Sequence, residues 1–287
     1  MEEVYLNELS LDGQYNTPEE FLEACIPFMR CLKTVKELNK WRITKHSEFY
    51  KCKITKRECF NDLRGMRGDA ARRLKSLLLS TAESPPFWDM NEEFHQDLNC
   101  NYYIENHNVS ATSAAEAAEA ESFLLSFDKE FYCDRELEVN CDNGKKFPVP
   151  SVVSGKYLAD VLWARDEIDV KQYLLMRYEG TRLDFSLLEE GYGFEDFEKR
   201  EIQDCLREFE RFIALEDWNA VFADRSLHYK QYTPSVSSEN WFRNSTYCDK
   251  TIDKFRCVNP KRCFGYKEGE VFYVLRMERD HRISDKG

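Results

Sequence analysis

The 287-residue chain lacks the glycine-rich loops that hold nucleotide phosphates. Its eleven glycines are scattered and form neither GxGxxG nor GxxxxGK followed by Ser or Thr. The motifs GxSxG and HExxH are also missing, which argues against common serine hydrolases and zinc proteases. Glu136 and Glu138 are paired acids, but no strand lysine follows at the next alternate position, as a metal-dependent nuclease would require. The sequence therefore predicts no cofactor.

Long apolar runs are missing as well. No stretch has the length of a signal peptide or a membrane span, and Glu2 and Glu3 stand where a signal peptide would carry lysine. This pattern predicts a cytoplasmic protein with no membrane partner. Its thiols are then expected to be reduced.

Closely spaced cysteine pairs are also absent, although the chain has eleven cysteines. No CxxC and no His-x3-His occurs, so the spacing does not match a zinc knuckle. The nearest pairs are Cys25 and Cys31, Cys52 and Cys59, Cys133 and Cys141, and Cys257 and Cys263. We therefore expect no metal site and interpret the cysteines as small buried apolar residues.

What the chain does have is core-forming material. Hydrophobic residues make up 42 % and aromatic residues 14 %, which excludes a disordered chain despite 33 % charged residues. The length suits two domains. Pro148 and Pro150 predict a loop, so we place the domains at residues 1–150 and 151–287.

The fold class expected is α+β. In the first domain Thr17 and Pro18 are typical of a helix start, and Pro27 predicts a break in that helix. Further helices are predicted over Ala70–Leu79 and Ser113–Leu125. This domain is therefore expected to be mainly helical with short strands.

The second domain ends in a predicted antiparallel meander packed against a long helix, Phe194–Leu215. The meander strands are expected at 226–232, 253–258, 263–266 and 271–277. Alternation along a strand places Lys254 and Arg256 on one face and Phe255 on the other. The same rule places Phe272, Val274 and Arg276 together.

Charge separates this end from the rest of the chain. Residues 227–287 carry 12 Lys and Arg against 8 Asp and Glu, whereas the net charge of the whole chain is −12. The overall charge argues against general nucleic-acid binding but leaves room for a small basic face. Two other interpretations stay open. The basic end could pair with acidic surface of the same chain, or its cations could protect an edge strand from pairing.

The residue types in this basic end match those that metal-free RNA cleavage requires, namely a base, an acid, cations for the phosphate and rings for the bases. The candidates for substrate binding are His228, Lys230, Lys254 and Tyr266. The candidates for catalysis are Arg256, Arg262, Arg276 and His281. The hypothesis requires the catalytic group to meet in one hollow that is open to water.

The run Asp253–Arg256, Lys261-Arg262, Val271–Arg276 and His281 resembles the final hairpin of RelE/ParE-type toxins, in which a long helix precedes a basic meander. The resemblance implies metal-independent endoribonuclease activity. It implies that Arg256 and Arg262 hold phosphate. It further implies that Arg276 or His281 acts on the leaving group or as the base.

A second resemblance covers more of the chain and concerns uncharacterised bacterial proteins that tend to occur near phage-defence and mobile-element genes. It rests on Asn7–Leu11, Ser84–Trp88, Ala114–Phe127 and Arg262–Tyr266. It implies a setting in bacterial conflict and names no site residues.

We therefore predict an intracellular bacterial conflict protein that acts on RNA as a cleaving effector, with its acidic front shielding the basic end. The alternative is a non-catalytic component of a defence or toxin–antitoxin complex. Such a component would bind a partner protein from the same operon through exposed aromatic anchors, such as Trp88 or Trp241.

Overall fold

A computed structural model describes residues 2–65, 78–91 and 94–283. The chain divides into two compact units, Met1–Val161 and Leu162–Gly287. Within the described ranges, no helix is both long and apolar enough to span a membrane. The helix predicted over Ala70–Leu79 lies outside the described residues except for its last two positions, which begin the helical residues 78–83.

The α+β class is confirmed, since helices and strands alternate through both units. The α-helices that lie wholly within the described residues are α1 Pro18–Ala24, α2 Ile26–Leu38, α3 Ser113–Glu119, α4 Gly155–Ala164, α5 Val170–Arg177, α6 Lys199–Ala214 and α7 Trp218–Ala223. The strands of the first unit are β1 Glu2–Leu6, β2 Asp12–Tyr15, β3 Trp41–Thr44, β4 Lys53–Thr55, β5 Tyr102–Ile104, β6 His107–Asn108, β7 Leu124–Leu125, β8 Arg135–Cys141 and β9 Lys146–Val152. The strands of the second unit are β10 Leu183–Asp184, β11 Lys230–Gln231, β12 Asp253–Arg256, β13 Arg262–Glu268 and β14 Val271–Glu278.

The first unit is built around a mixed sheet and is less helical than its sequence suggests. Among the described residues, seven strands form this sheet in the order β3-β1-β7-β9-β8-β5-β6. Strands β3, β1, β7 and β9 run parallel, and the hairpin strands β9, β8, β5 and β6 run antiparallel. Aromatic rings fill part of its core, and Phe28 stacks on Phe127 with their ring centroids 4.2 Å apart.

The start of the first helical segment follows its sequence closely. The Thr17 hydroxyl accepts a hydrogen bond from the backbone amide of Glu20, and Pro18 occupies the first turn of α1. The helix breaks at Cys25, and α2 begins at Ile26 with Pro27 in its first turn. The predicted break is therefore confirmed, because proline is tolerated there and not inside a continuous helix.

Two local predictions in the first unit were wrong. The helix expected over Ser113–Leu125 ends at Glu119, because Leu124 and Leu125 form strand β7 between β1 and β9. Pro148 and Pro150 lie in β9 and not in a loop. Strand β7 pairs only with the last two residues of β9. At Pro148 and Pro150 the edge of β9 that faces away from β8 therefore has no partner strand among the described residues, and the missing backbone N–H of proline costs no hydrogen bond there.

The second unit contains the predicted meander packed against a long helix. In its described part, five strands pair in the order β10-β14-β13-β12-β11. Phe209 and Phe212 of α6 contact Phe255 of β12, and Phe212 also contacts Phe272 of β14. Phe255 is fully buried and faces the helix, as its place in the strand predicts.

A β-bulge changes the face on which Arg276 lies. The pairing of β13 with β14 shifts between Phe264 and Gly265, so that Phe264 pairs with Arg276 and Gly265 pairs with Val274. A Cβ on Gly265 would lie 2.1 Å from the Tyr273 carbonyl oxygen, so only glycine fits there. The extra residue reverses the alternation along β14. Phe272 therefore contacts the helix side, whereas Arg276 lies on the opposite face, and the prediction that they share a face was wrong.

Candidate functional site

Cations face cations across the outer strands of the second-unit sheet. Lys230 of β11 lies directly opposite Lys254 of β12, and Arg256 of β12 lies directly opposite Arg262 of β13. Like charges at directly opposed positions repel one another and destabilise a sheet. We call these four residues and the adjoining His228 the basic cluster.

His228 stands at the exposed side of the basic cluster. Its Nδ1 atom lies 3.4 Å from an Nη atom of Arg256, and its backbone adopts a left-handed φ of +48°. Partial burial and then the charge of Arg256 lower the pKa of His228 below its ordinary value of 6.5, with smaller contributions from Lys230, Arg262 and Lys254. The imidazole is therefore neutral at pH 7. Because the guanidinium only donates, Nδ1 accepts and Nε2 carries the proton.

Arg256 has hydrogen-bonding capacity that its surroundings leave unused. Its side chain is half-buried, and its Nε atom is buried without a hydrogen-bond partner among the described residues. Its backbone amide donates to the carbonyl of Leu227, which fixes the strand beside His228. A guanidinium has five donors in a rigid fork, a geometry that suits phosphate oxygens.

Arg262 is held by the loop that precedes it. It is 7 % exposed, and its Nη1 atom donates to the carbonyls of Pro260 and Lys261, each at 2.9 Å. Across the sheet it lies opposite Glu278 of β14. Arg262 is therefore a buried member of the basic cluster and lies on β13, the strand nearest the centre of the sheet.

The same loop is tied to the long helix by an ion pair. Lys261 Nζ lies 2.9 Å from a carboxylate oxygen of Glu201 in α6. A hydrogen bond from the backbone amide of Glu198, together with Lys261, lowers the pKa of Glu201 to about 2. The carboxylate is therefore ionised at any physiological pH, and it anchors the loop that positions Arg262.

Lys254 is buried on the same face. It is 2 % exposed, and its ammonium group lies 5.4 Å from the ring centroid of Tyr232 and 5.9 Å from that of Phe264. Lys230, directly opposite, is exposed. The outer cations of the basic cluster are therefore the ones that a ligand in solution reaches first.

Arg276 has different surroundings. It is 4 % exposed, forms an ion pair with Glu189 and donates to the carbonyl of Trp241. Its guanidinium carbon lies 3.9 Å from the ring centroid of Tyr192 and 4.4 Å from that of Phe242. Arg276 and Trp241 line a cavity of about 410 Å³. These contacts satisfy its charge within the chain, so its position is typical of a structural clamp.

Tyr266 and His281 lie outside the basic cluster. Tyr266 is buried and stacks on Tyr273 with their centroids 5.3 Å apart, and the ammonium of Lys250 lies 4.6 Å from the centroid of its ring. His281 is half-buried in the turn after β14 with a φ of +64°. The structure thus gathers His228, Lys230, Lys254, Arg256 and Arg262 and leaves Arg276, His281 and Tyr266 elsewhere.

Neither predicted aromatic anchor projects from the surface. Trp88 is 4 % exposed, and its indole nitrogen donates to the Ser113 hydroxyl at 3.0 Å. Trp241 is half-buried, with its ring 5.2 Å from that of Phe264. The expectation that Trp88 is exposed was wrong, since its ring belongs to the hydrophobic core of the first unit.

Sequence reasoning missed the side chains that pair with the cations or accept hydrogen bonds from them. Glu189 neutralises Arg276 from 87 positions away, and no local pattern marks it. Asn259 lies 3.3 Å from Arg262, and the Asn-Pro pair beside two cations could have indicated a turn that presents acceptors to them.

Comparisons with protein-family models, curated proteins and solved structures found no significant match to the chain. The two resemblances noted in the sequence therefore stay predictions, and the site is argued from its own geometry.

Proposed function

We propose that the chain is a bacterial conflict protein that acts on RNA, and that the basic cluster holds the RNA backbone. The observation that carries the proposal is that two like-charged pairs occupy directly opposed positions on neighbouring strands, Lys230 with Lys254 and Arg256 with Arg262. Like charges at such positions cost stability in the free protein. A phosphate bound between them would remove the repulsion and gain charge-assisted hydrogen bonds.

The chemistry of His228 supports binding better than cleavage. A neutral imidazole whose Nδ1 accepts from Arg256 presents an Nε2–H group, which donates to a phosphate oxygen. Proton abstraction from a 2′-hydroxyl would require an unprotonated nitrogen facing the substrate. Arg276, a predicted catalytic residue, is buried against Glu189. We therefore place RNA binding first and treat cleavage as a separate question.

The binding test uses fluorescence anisotropy with a labelled, unstructured 12-nucleotide RNA. We expect the Lys230→Gln/Arg256→Gln variant to bind on the order of tenfold more weakly at low salt. The slope of log affinity against log salt should fall by about 1.4, since each contact with single-stranded nucleic acid contributes about 0.7. The matched control is Lys33→Gln/Lys146→Gln, which removes two exposed cations of the first unit.

Equal losses in the two double variants would contradict the site, because the effect would then come from net charge alone. Equal affinity for DNA of the same sequence would contradict RNA as the ligand. The same samples, incubated with EDTA and run on a denaturing gel, test the predicted metal-independent cleavage. If the RNA stays intact with wild type, the predicted cleavage is wrong, and only the proposal of RNA binding is kept.

A further inference from the structure

A group of thiols and carboxylates lies at one end of the first-unit sheet. Cys100, Cys141 and Asp142 bring two sulfur atoms and a carboxylate oxygen within 4.8 Å of one another. They come from two tight turns, one that ends at Cys100 and one that joins β8 to β9. Strand β5 pairs with β8, with Tyr102 opposite Cys141, so the sheet brings these turns together.

A second carboxylate adjoins this group. Asp97 Oδ2 lies 3.5 Å from the sulfur of Cys100. Asp97 and Cys100 belong to one turn, closed by a hydrogen bond from the Cys100 amide to the Asp97 carbonyl. Their spacing, with two residues between them, is that of the ligand pairs in zinc knuckles. Two sulfurs and two carboxylates are a complete tetrahedral donor set.

Neighbouring amides orient three of these four side chains. Asn143 Nδ2 donates to Cys100 Sγ at 3.0 Å, and Asn101 Nδ2 donates to Asp142 Oδ2 at 2.8 Å. Asn99 donates to Asp97 Oδ1 through its backbone amide at 2.9 Å and through Nδ2 at 3.1 Å. Metal ligands are typically held by such outer hydrogen bonds, which fix their orientation before the ion arrives.

We propose that Cys100, Cys141 and Asp142 bind one zinc ion, with Asp97 as the fourth ligand. Thiolates favour zinc over magnesium or calcium. Zinc–sulfur bonds of about 2.3 Å place tetrahedral ligand atoms roughly 3.5 to 3.8 Å apart, so the atoms of Cys100, Cys141 and Asp142 need to approach one another by about 1 Å. Asp97 lies outside this group of three and has to turn toward it around Cys100. Cys141 is buried, Cys100 half-buried and Asp142 exposed, so one side of the site meets solvent and gives the ion a path of entry.

Cysteine spacing along the chain hides this site. Cys100 and Cys141 are 41 positions apart, and each has an aspartate rather than a second cysteine close to it in sequence. The zinc-knuckle patterns considered for the sequence require paired cysteines or histidines. The expectation of no metal site followed from the absence of those pairs, and donor sets that combine cysteine with aspartate were not considered.

The test is cobalt and zinc binding to the full chain after treatment with EDTA and reductant. We expect one cobalt ion per chain, with the near-ultraviolet absorption of sulfur-to-cobalt charge transfer, and displacement by zinc. Cys100→Ser and Asp142→Asn should weaken binding at least tenfold. Cys133→Ser, a half-buried cysteine of the same unit, should bind as wild type does. Zinc should raise the melting temperature of wild type and Cys133→Ser only.

Absence of the sulfur band, or binding that survives both Cys100→Ser and Asp142→Asn, would overturn the proposal. A Cys100–Cys141 disulfide that persists under cytosolic reducing conditions would also overturn it, because the sulfurs would then be unable to bind the ion. If Cys141→Ser fails to fold, the half-buried Cys100 and exposed Asp142 still decide the matter. RNA affinity is measured in parallel, and its outcome does not bear on the metal.

Discussion

Arg256 and Arg276 lie on the same face of one sheet and have opposite surroundings. Arg276 has a carboxylate, a carbonyl and aromatic rings around its guanidinium, and it is 4 % exposed. Arg256 has another arginine opposite it, a neutral histidine beside it and a buried Nε atom without a hydrogen-bond partner in the described chain. The comparison teaches that a cation contributes to the fold where the chain supplies its anion. Where another arginine stands opposite, as at Arg256, we propose that a bound phosphate supplies the anion.

The largest effect on stability should come from removing Arg276, the cation that is paired within the chain. Arg276→Ala leaves Glu189 without its cationic partner, and we expect the free energy of unfolding to fall by about 3 kcal/mol, measured by urea denaturation. RNA affinity at a temperature where the variant is folded should not change. The exposed Arg207→Ala is the control for arginine loss.

A double variant sharpens this expectation. Glu189→Gln/Arg276→Met removes both charges and keeps apolar contact with Tyr192 and Phe242, so it should recover much of the lost stability. If Arg276→Ala unfolds like wild type but binds RNA poorly, then Arg276 belongs with the basic cluster and the comparison is wrong.

The next effect concerns pH and the imidazole of the basic cluster. Burial and then the neighbouring cations lower the pKa of His228, so the unfolded chain takes up this proton more readily than the folded one. Stability linked to His228 is therefore complete above pH 6.5 and is lost as pH falls through the folded pKa. Bound phosphate favours the imidazolium, so RNA affinity should rise as the pH is lowered. The rise should reach up to about tenfold for each unit by which bound RNA raises the pKa of His228.

The measurement compares anisotropy titrations at pH 7.5 and 5.5. His228→Asn should lose the rise, whereas His281→Asn should keep it. Both histidines have a positive φ, which asparagine tolerates, so the two variants are matched in backbone cost. A rise that survives in His228→Asn would assign the proton to another group.

The smallest effect tests the repulsion itself. Lys230→Gln should raise the free energy of unfolding by about 0.5 kcal/mol at low salt, because it removes a charge opposite Lys254. Lys250→Gln, which breaks an exposed pair with Glu268, should change stability slightly in the other direction. Both changes should shrink in 1 M salt. Loss of stability in Lys230→Gln would contradict a repulsive pair.

Local patterns predicted the elements of the second unit well, because turns and alternation act over a few residues. The long helix, three of the four meander strands and the inward side of Phe255 follow from such spacing. The helix begins at Lys199 and not at Phe194, and the strand predicted at 226–232 is only Lys230–Gln231. The bulge at Gly265 did not, since it depends on a close approach to the Tyr273 carbonyl. One inserted residue was enough to place Arg276 on the face opposite to that of Phe272.

In the first unit, burial overrode local preference. Leu124 and Leu125 continue an alanine-rich helical pattern, yet they pair with β1 and β9 because the sheet needs a buried central strand there. For the candidate site, residue types indicated a basic group at this end of the chain and did not indicate the surroundings of each cation. Which of them stand against acids depends on contacts such as Arg276 with Glu189, far apart in the chain.

The bulge at Gly265 constrains how this hairpin can vary in length. Deleting one residue between Val274 and Arg276 would restore simple alternation and turn the guanidinium toward the phenylalanine-rich side of the sheet. Natural and engineered variants should therefore change length at the Gly269 end of the hairpin and keep the register beyond the bulge intact.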